Sequence, residues 1–184
     1  MAPSSQRSRP PGEEAARIVG SSSEQAPRSE AVVPPRFARQ LRGAARRRRG
    51  SERPWVAVAK VNGVAEIRAE YGDPAAEEFL RGTASALRSG LRESDKLAPV
   101  GREEYGIILD APRGNQAVAG LERLVADVRD LATRDHRWAA GSLGVGVAPL
   151  WNDEPAEILD RARAALARAQ RHGGGVVMVA AETL

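Results

Sequence analysis

Residues 96–109 read Lys96-Leu97-Ala98-Pro99-Val100-Gly101-Arg102-Glu103-Glu104-Tyr105-Gly106-Ile107-Ile108-Leu109. Two apolar runs flank a polar centre that starts on glycine. The pattern predicts a hairpin, with strands over 96–100 and 104–109 and a tight turn at Gly101-Arg102. Upstream, Ala76, Phe79, Leu80, Thr83, Leu87 and Leu91 recur at helical spacing. Asp73-Pro74 opens that helix, with aspartate at the cap and proline at the first helical position. A shorter helix ends just before it, near Tyr71-Gly72, and residues 55–59 form a short apolar run after a proline, predicted as a buried strand. Downstream, Val118, Leu121, Leu124, Val125, Val128 and Leu131 make another helical stripe, and residues 138–148 read as an apolar, glycine-interrupted strand. Ile158, Ala162, Ala165, Leu166 and Ala169 mark a last helix stopped by Gly173-Gly174-Gly175, and residues 176–180 supply a final strand. A helix from Arg36, with Phe37, Leu41 and Ala45 on one face, precedes all of this and is ended by Gly50 and Pro54. The order is helix, then β-α-α-β-β-α-β-α-β, an α+β fold with helices flanking one sheet.

Composition closes several routes. The chain has 184 residues, and none of its stretches reaches the roughly 18 consecutive apolar residues of a membrane span. Cysteine is absent, which excludes disulfides, thiolate metal sites and cysteine nucleophiles. The two histidines, His136 and His172, are too few for a histidine-rich metal site and read as a loop residue and a helix-end residue. The first twenty residues have no apolar core of the secretory kind, so the expected location is the cytoplasm. Trp55, Trp138 and Trp151 are read as packing residues.

Residues 1–35 are rich in Pro, Ser, Gly and Gln without a sustained apolar period and are predicted as a disordered tail, leaving residues 36–184 as the folded domain. Residues 36–54 hold eight arginines and one glutamate, net +7. Such a block attracts polyanions, but Arg46-Arg47-Arg48-Arg49 lacks the interleaved aromatics that stack on bases. It is read as a solvated helix end, and nucleic acid is not the expected partner.

The ordered set of landmarks resembles the GGDEF domain, the family of diguanylate cyclases that condense two GTP molecules into cyclic di-GMP on a palm-like sheet flanked by helices. Arg36-Phe37 and Leu41 resemble its leading helix, and Tyr71-Gly72 the end of its first internal helix. Gly101-Arg102-Glu103-Glu104-Tyr105 stands where the Gly-Gly-Asp/Glu-Glu-Phe signature belongs. Gly144 to Ala148 resembles the Ser-Ile-Gly-Val-Ala strand. Ala162, Leu166, Ala169 and Gly173 fit the closing pattern Ala-Asp-x-Ala-Leu-Tyr-x-Ala-Lys-x-x-Gly.

The departures from the family bear on function. Its cyclases hold two Mg²⁺ ions, and the Asp-x-Asp ending the first strand is here Lys60-Val61-Asn62. An ammonium in that place deletes an oxygen ligand and adds like charge, leaving Glu104 and Glu103 as the oxygen donors. Lys60 is then expected as a structural stand-in for the ion, neutralising those glutamates. The Asn-Asp that reads guanine is Arg68-Ala69, the Gly-Asp of the next helix is Ala76-Glu77, the phosphate-binding lysine is Gln170, and the second glycine of the signature is Arg102. The resemblance therefore implies a domain without cyclase activity, resident metal or cofactor.

One family site is retained. Arg92-Glu93-Ser94-Asp95 stands five residues before Gly101 and resembles the Arg-x-x-Asp inhibitory site for cyclic di-GMP. An arginine fork suits guanine O6 and N7 or a phosphate, and a carboxylate accepts from guanine N–H groups. The plainer reading of Arg92 and Asp95 is an i, i+3 pair at a helix end. Three outcomes stay open: a cyclic di-GMP receptor that signals to an unidentified protein partner, a docking or dimerisation scaffold without nucleotide, and a residual cyclase. Family cyclases act as dimers, so a homodimer is a further expectation beside the monomer.

Overall fold

The computed structural model describes residues 33–46, 53–111, 113–151 and 154–180. Most of the expected tail, Arg47 to Arg49 and Gly50 lie outside the described residues. The elements are α1 (Pro35–Arg46), β1 (Trp55–Asn62), α2 (Val64–Gly90), β2 (Lys96–Gly101), β3 (Glu104–Leu109), α3 (Gly114–Thr133), β4 (Ser142–Pro149), α4 (Pro155–Arg171) and β5 (Val177–Val179). The five strands form one mixed sheet in the order β2-β3-β1-β4-β5. The contacts from β2 through β4 are antiparallel, and β5 pairs parallel to β4.

The period of two in β1 sorts the core into two layers. Ala57, Ala59 and Val61 pack with α2 and α3, against Phe79, Leu87, Leu121, Leu124 and Val128. Val56 and Val58 face the other way, into a cluster with Phe37 and Leu41 of α1 and Ile158, Ala162 and Leu166 of α4. Being buried on both faces is why β1 reads as a continuous apolar run in the sequence. It also fixes the outlook of the last residues of β1: Lys60 and Asn62, in phase with Val56 and Val58, lie on the α1/α4 side.

Two glycines set how the layers fit. The two sequence-predicted helices between β1 and β2 are halves of α2, broken at Gly72 (φ 83°, ψ 172°), a conformation costly for residues with a Cβ. Asp73 turns its carboxylate to Arg68 at 2.8 Å there, beside Pro74. On β4, a Cβ on Gly146 would collide with the backbone of Ala162 and Leu166, so glycine lets α4 lie directly on the sheet.

The structure extends β1 from residue 59 to Asn62, trims β5 to Val177–Val179, and corrects the sequence reading elsewhere too. β4 starts at Ser142, not residue 138; residues His136–Trp138 form one 3-10 turn, in which the Asp135 side chain accepts from the Arg137 backbone N–H at 2.9 Å. The hairpin turn is Arg102-Glu103, since Gly101 still belongs to β2. α1 begins at Pro35, one residue ahead of the expected start. Trp151 is 38% exposed with the Arg53 guanidinium over its ring, whereas Trp138 is buried as expected. Among the described residues no helix is long and apolar enough to cross a membrane.

Candidate functional site

The β2–β3 hairpin carries the sequence-predicted residues at its two ends. At the turn, Glu103 has φ 63° and its carbonyl accepts from Val61 N–H at 2.9 Å. Lys60 on β1 stands in register with Glu104 on β3. The cation that meets Glu104, however, comes from α4: Arg163 Nε lies 3.4 Å from Glu104 Oε2, with only 15% and 22% of the two side chains exposed. Arg163 also donates to the Val100 carbonyl at 3.4 Å and stands 3.8 Å from Asp160. Lys60 makes no ion pair within 4.0 Å among the described residues. The expectation that Lys60 neutralises the signature glutamates is therefore corrected: Arg163 meets Glu104. Its signal was in the sequence, because Arg163 occupies the Asp position of the closing-helix pattern quoted above.

The neighbouring positions are tied into the fold. Asn62 donates to Ser142 Oγ at 3.2 Å across β1 and β4. Gln170 packs over Gly144, and its buried Nε2 has no hydrogen-bond partner among the described residues. Arg68 and Glu77 lie on opposite sides of the Gly72 break, Arg68 bonded to Asp73 and Glu77 exposed. Arg102 is exposed at the turn. Among the described residues no group of three or more His, Asp or Glu is placed to hold a metal ion. With a guanidinium on Glu104 and an ammonium on the adjacent strand, this donor set does not fit a hard divalent cation.

At the open end of the hairpin the arrangement differs. Asp95 Oδ2 accepts from the Arg92 backbone N–H and Asp95 Oδ1 from the Asp110 backbone N–H, both at 3.0 Å. One carboxylate thus joins the end of α2 to the end of β3. Arg92 and Asp95 do pair at i, i+3, but through the Arg92 backbone N–H and the Asp95 carboxylate; among the described residues their side chains form no ion pair. The Arg92 guanidinium is exposed and unpaired among the described residues. It borders two hollows. A small cavity of about 30 Å³ lies between Arg92, Asp95, Asp110, Gln116 and Arg123. An open groove of about 590 Å³ adjoins Arg88, Arg92, Asp95 and Lys96 and reaches α1. Lys96 Nζ donates to the Glu93 carbonyl at 2.9 Å. Burial pushes the Tyr105 phenol above its usual pKa, with Arg88 pulling the other way. Sequence reasoning missed Arg88 and Arg123, since nothing in the spacing says which helix faces will border this corner.

The family model described as "Diguanylate cyclase, GGDEF domain" matches residues 35–175. The chain belongs to the GGDEF domain family. Among solved structures, SiaD from Pseudomonas aeruginosa, a diguanylate cyclase in complex with its activator SiaC, superposes with a TM-score of 0.71 at 28% identity. That match covers 79% of this chain and 57% of SiaD. The GGDEF domain of YfiN from the same organism gives 0.64 at 27% identity, covering 79% and 86%. The GGDEF domain of DgcB from Caulobacter crescentus, in complex with c-di-GMP, gives 0.69 at 20% identity, covering 78% and 88%. Among curated protein sequences none matches the chain. Both hairpin ends of this GGDEF domain, and Arg163 with them, fall inside the matched residues.

Proposed function

We propose that this GGDEF domain is a receptor for cyclic di-GMP that does not turn over GTP. The observation that carries the reading is the free Arg92 guanidinium beside a carboxylate already anchored by two backbone N–H groups. Asp95 needs no cation to hold its place, so Arg92 is left to fork onto a guanine edge or a phosphate. Each Asp95 oxygen still has a lone pair for a guanine N–H. Arg88 and Lys96 add positive charge for a phosphodiester, and the groove volume is in the usual range for small ligands, about 300–1,000 Å³. The c-di-GMP held by DgcB makes that nucleotide the first ligand to try.

The reading against turnover rests on the turn end. Phosphoryl transfer depends on metal and positioned cations at the transferring group. Here Lys60 and Arg163 occupy the surroundings of Glu104, and Arg102 replaces a residue whose missing side chain would let the backbone approach a nucleotide.

Calorimetric titration of cyclic di-GMP into the full chain, beside Arg92→Ala, tests the receptor. Binding to the native protein should weaken by about tenfold to a hundredfold in the variant, the worth of a hydrogen bond to a charged group. The same preparation with GTP and Mg²⁺ should yield no cyclic di-GMP. Absence of binding would move the domain to a docking scaffold, and turnover would overturn the reading of the turn end.

A further inference from the structure

The groove beside Arg92 has a second wall, supplied by α1 through Pro34, Arg36, Phe37 and Gln40. Arg36 and Gln40 are four residues apart, so they stand one turn above the other on the same side of the helix. Arg36 is exposed and Gln40 half-buried, and neither has a hydrogen bond or ion pair among the described residues. Phe37, between them, is fully buried, with its ring against Gly106 of β3 and Val100 of β2 lying beside it. α1 is thus held to the fold by the apolar stripe Phe37, Leu41 and Ala44 and by an exposed Arg42–Glu154 ion pair at 3.7 Å, while Arg36 and Gln40 on its groove side are unengaged among the described residues.

We propose that Arg36 and Gln40 are ligand-binding residues of this nucleotide site, so that an occupied groove ties α1 to the corner between α2 and β2. The inference rests on the receptor reading above and adds to it the wall that closes the site. Charge supports it. The groove borders four cations, Arg36, Arg88, Arg92 and Lys96, and two acids, Glu93 and Asp95, an excess of two positive charges. A cyclic dinucleotide carries two phosphodiester charges. Without Arg36 the balance falls one short. Arg36 donates in a fork to a phosphate or stacks on a purine, and Gln40 offers an amide that both donates and accepts. The consequence is mechanical: an occupied groove adds polar contacts that fasten α1 to the corner between α2 and β2.

The test combines calorimetry with hydrogen–deuterium exchange on the full chain, using cyclic di-GMP as the probe. Variants are Arg36→Ala, Gln40→Ala, Arg92→Ala and, as a control, Arg39→Ala, an exposed arginine on α1 outside the groove. The proposal expects Arg36→Ala to weaken binding about tenfold and Gln40→Ala severalfold, with Arg39→Ala unchanged. Ligand should slow exchange of the α1 amides at least about fivefold, and Arg92→Ala should remove that protection. Native-like binding by Arg36→Ala and Gln40→Ala, with α1 exchange unaltered, would overturn this inference and leave the receptor reading intact. An equal loss in Arg39→Ala would overturn it in favour of a diffuse field. No binding by the native chain would overturn the receptor reading itself, and this inference with it.

Discussion

The two ends of the β2–β3 hairpin each bring an arginine to an acid, and they use the pair in opposite ways. At the turn, Arg163 reaches across from α4, with Nε meeting Glu104 and Nη2 donating to the Val100 carbonyl. At the open end, Asp95 is satisfied by the backbone N–H groups of Arg92 and Asp110, and the Arg92 guanidinium stays in solvent. A side-chain pair closes a site because each member occupies the other. A carboxylate anchored by backbone leaves its neighbouring cation available. The difference is why the proposed binding is placed at the open end and not at the turn.

The largest effect on stability in this comparison is expected at Asp95. Truncation to alanine removes the acceptor from two backbone N–H groups at once, one at the end of α2 and one after β3. Loss of a comparable helix-cap acceptor costs about 0.5–2 kcal/mol, and two donors are involved here, so about 1–2 kcal/mol is expected. Denaturant unfolding of Asp95→Ala against Arg92→Ala checks it. On the receptor proposal both variants should bind cyclic di-GMP more weakly, but only the first should lose stability. Equal stability in the two would mean that the Asp95 clamp is dispensable, and the contrast between the ends would collapse.

A smaller effect belongs to the Arg163–Glu104 pair. It is mostly shielded, yet its 3.4 Å separation is long for a charge-assisted bond, so the coupling should be about 1 kcal/mol. A double-mutant cycle with Arg163→Met and Glu104→Gln measures it. Coupling near zero would mean that the ion pair does not help to seat α4, whose position would then rest on packing such as its close approach to Gly146 of β4.

How much of this was readable beforehand depended on the range of the interaction. The hairpin, the stripes Phe79–Thr83–Leu87 and Leu121–Leu124–Val128, and the flanking helices were legible because periodicity is a local record of which face is buried. The 138–148 strand was drawn too long because Trp138-Ala-Ala is apolar; what ends the sheet there is a 3-10 turn fixed by Asp135, a side-chain-to-backbone bond that hydropathy does not register. At the turn, register of β1 against β3 would suggest Lys60 for Glu104, whereas Arg163 is fifty-nine residues away on a helix whose docking depends on Gly146. At the open end, spacing alone found Arg92 and Asp95 but not that Asp110, fifteen residues on, shares the carboxylate. In both places the chain position of the acid was visible and its tertiary partner was not, because the partner is chosen by packing.

Lys60 supplies the smallest and sharpest prediction. If β1 register decided the electrostatics, Lys60→Ala would strand Glu104 without a counter-charge and cost on the order of 1–3 kcal/mol, as unpairing a shielded charge does. With Arg163 already on Glu104, the substitution removes an ammonium with no partner within 4.0 Å among the described residues, and the loss should stay within about 0.5 kcal/mol. The two arithmetic outcomes are far enough apart for ordinary urea titrations to separate. Repeating the measurement in Arg163→Met makes the argument stricter: with the guanidinium gone, Lys60 becomes the nearest cation by strand register, and Lys60→Ala should then cost more than it did in the native background. A cost that is the same in both backgrounds would show that the lysine and Glu104 ignore each other, and the turn end would owe its closure to Arg163 alone.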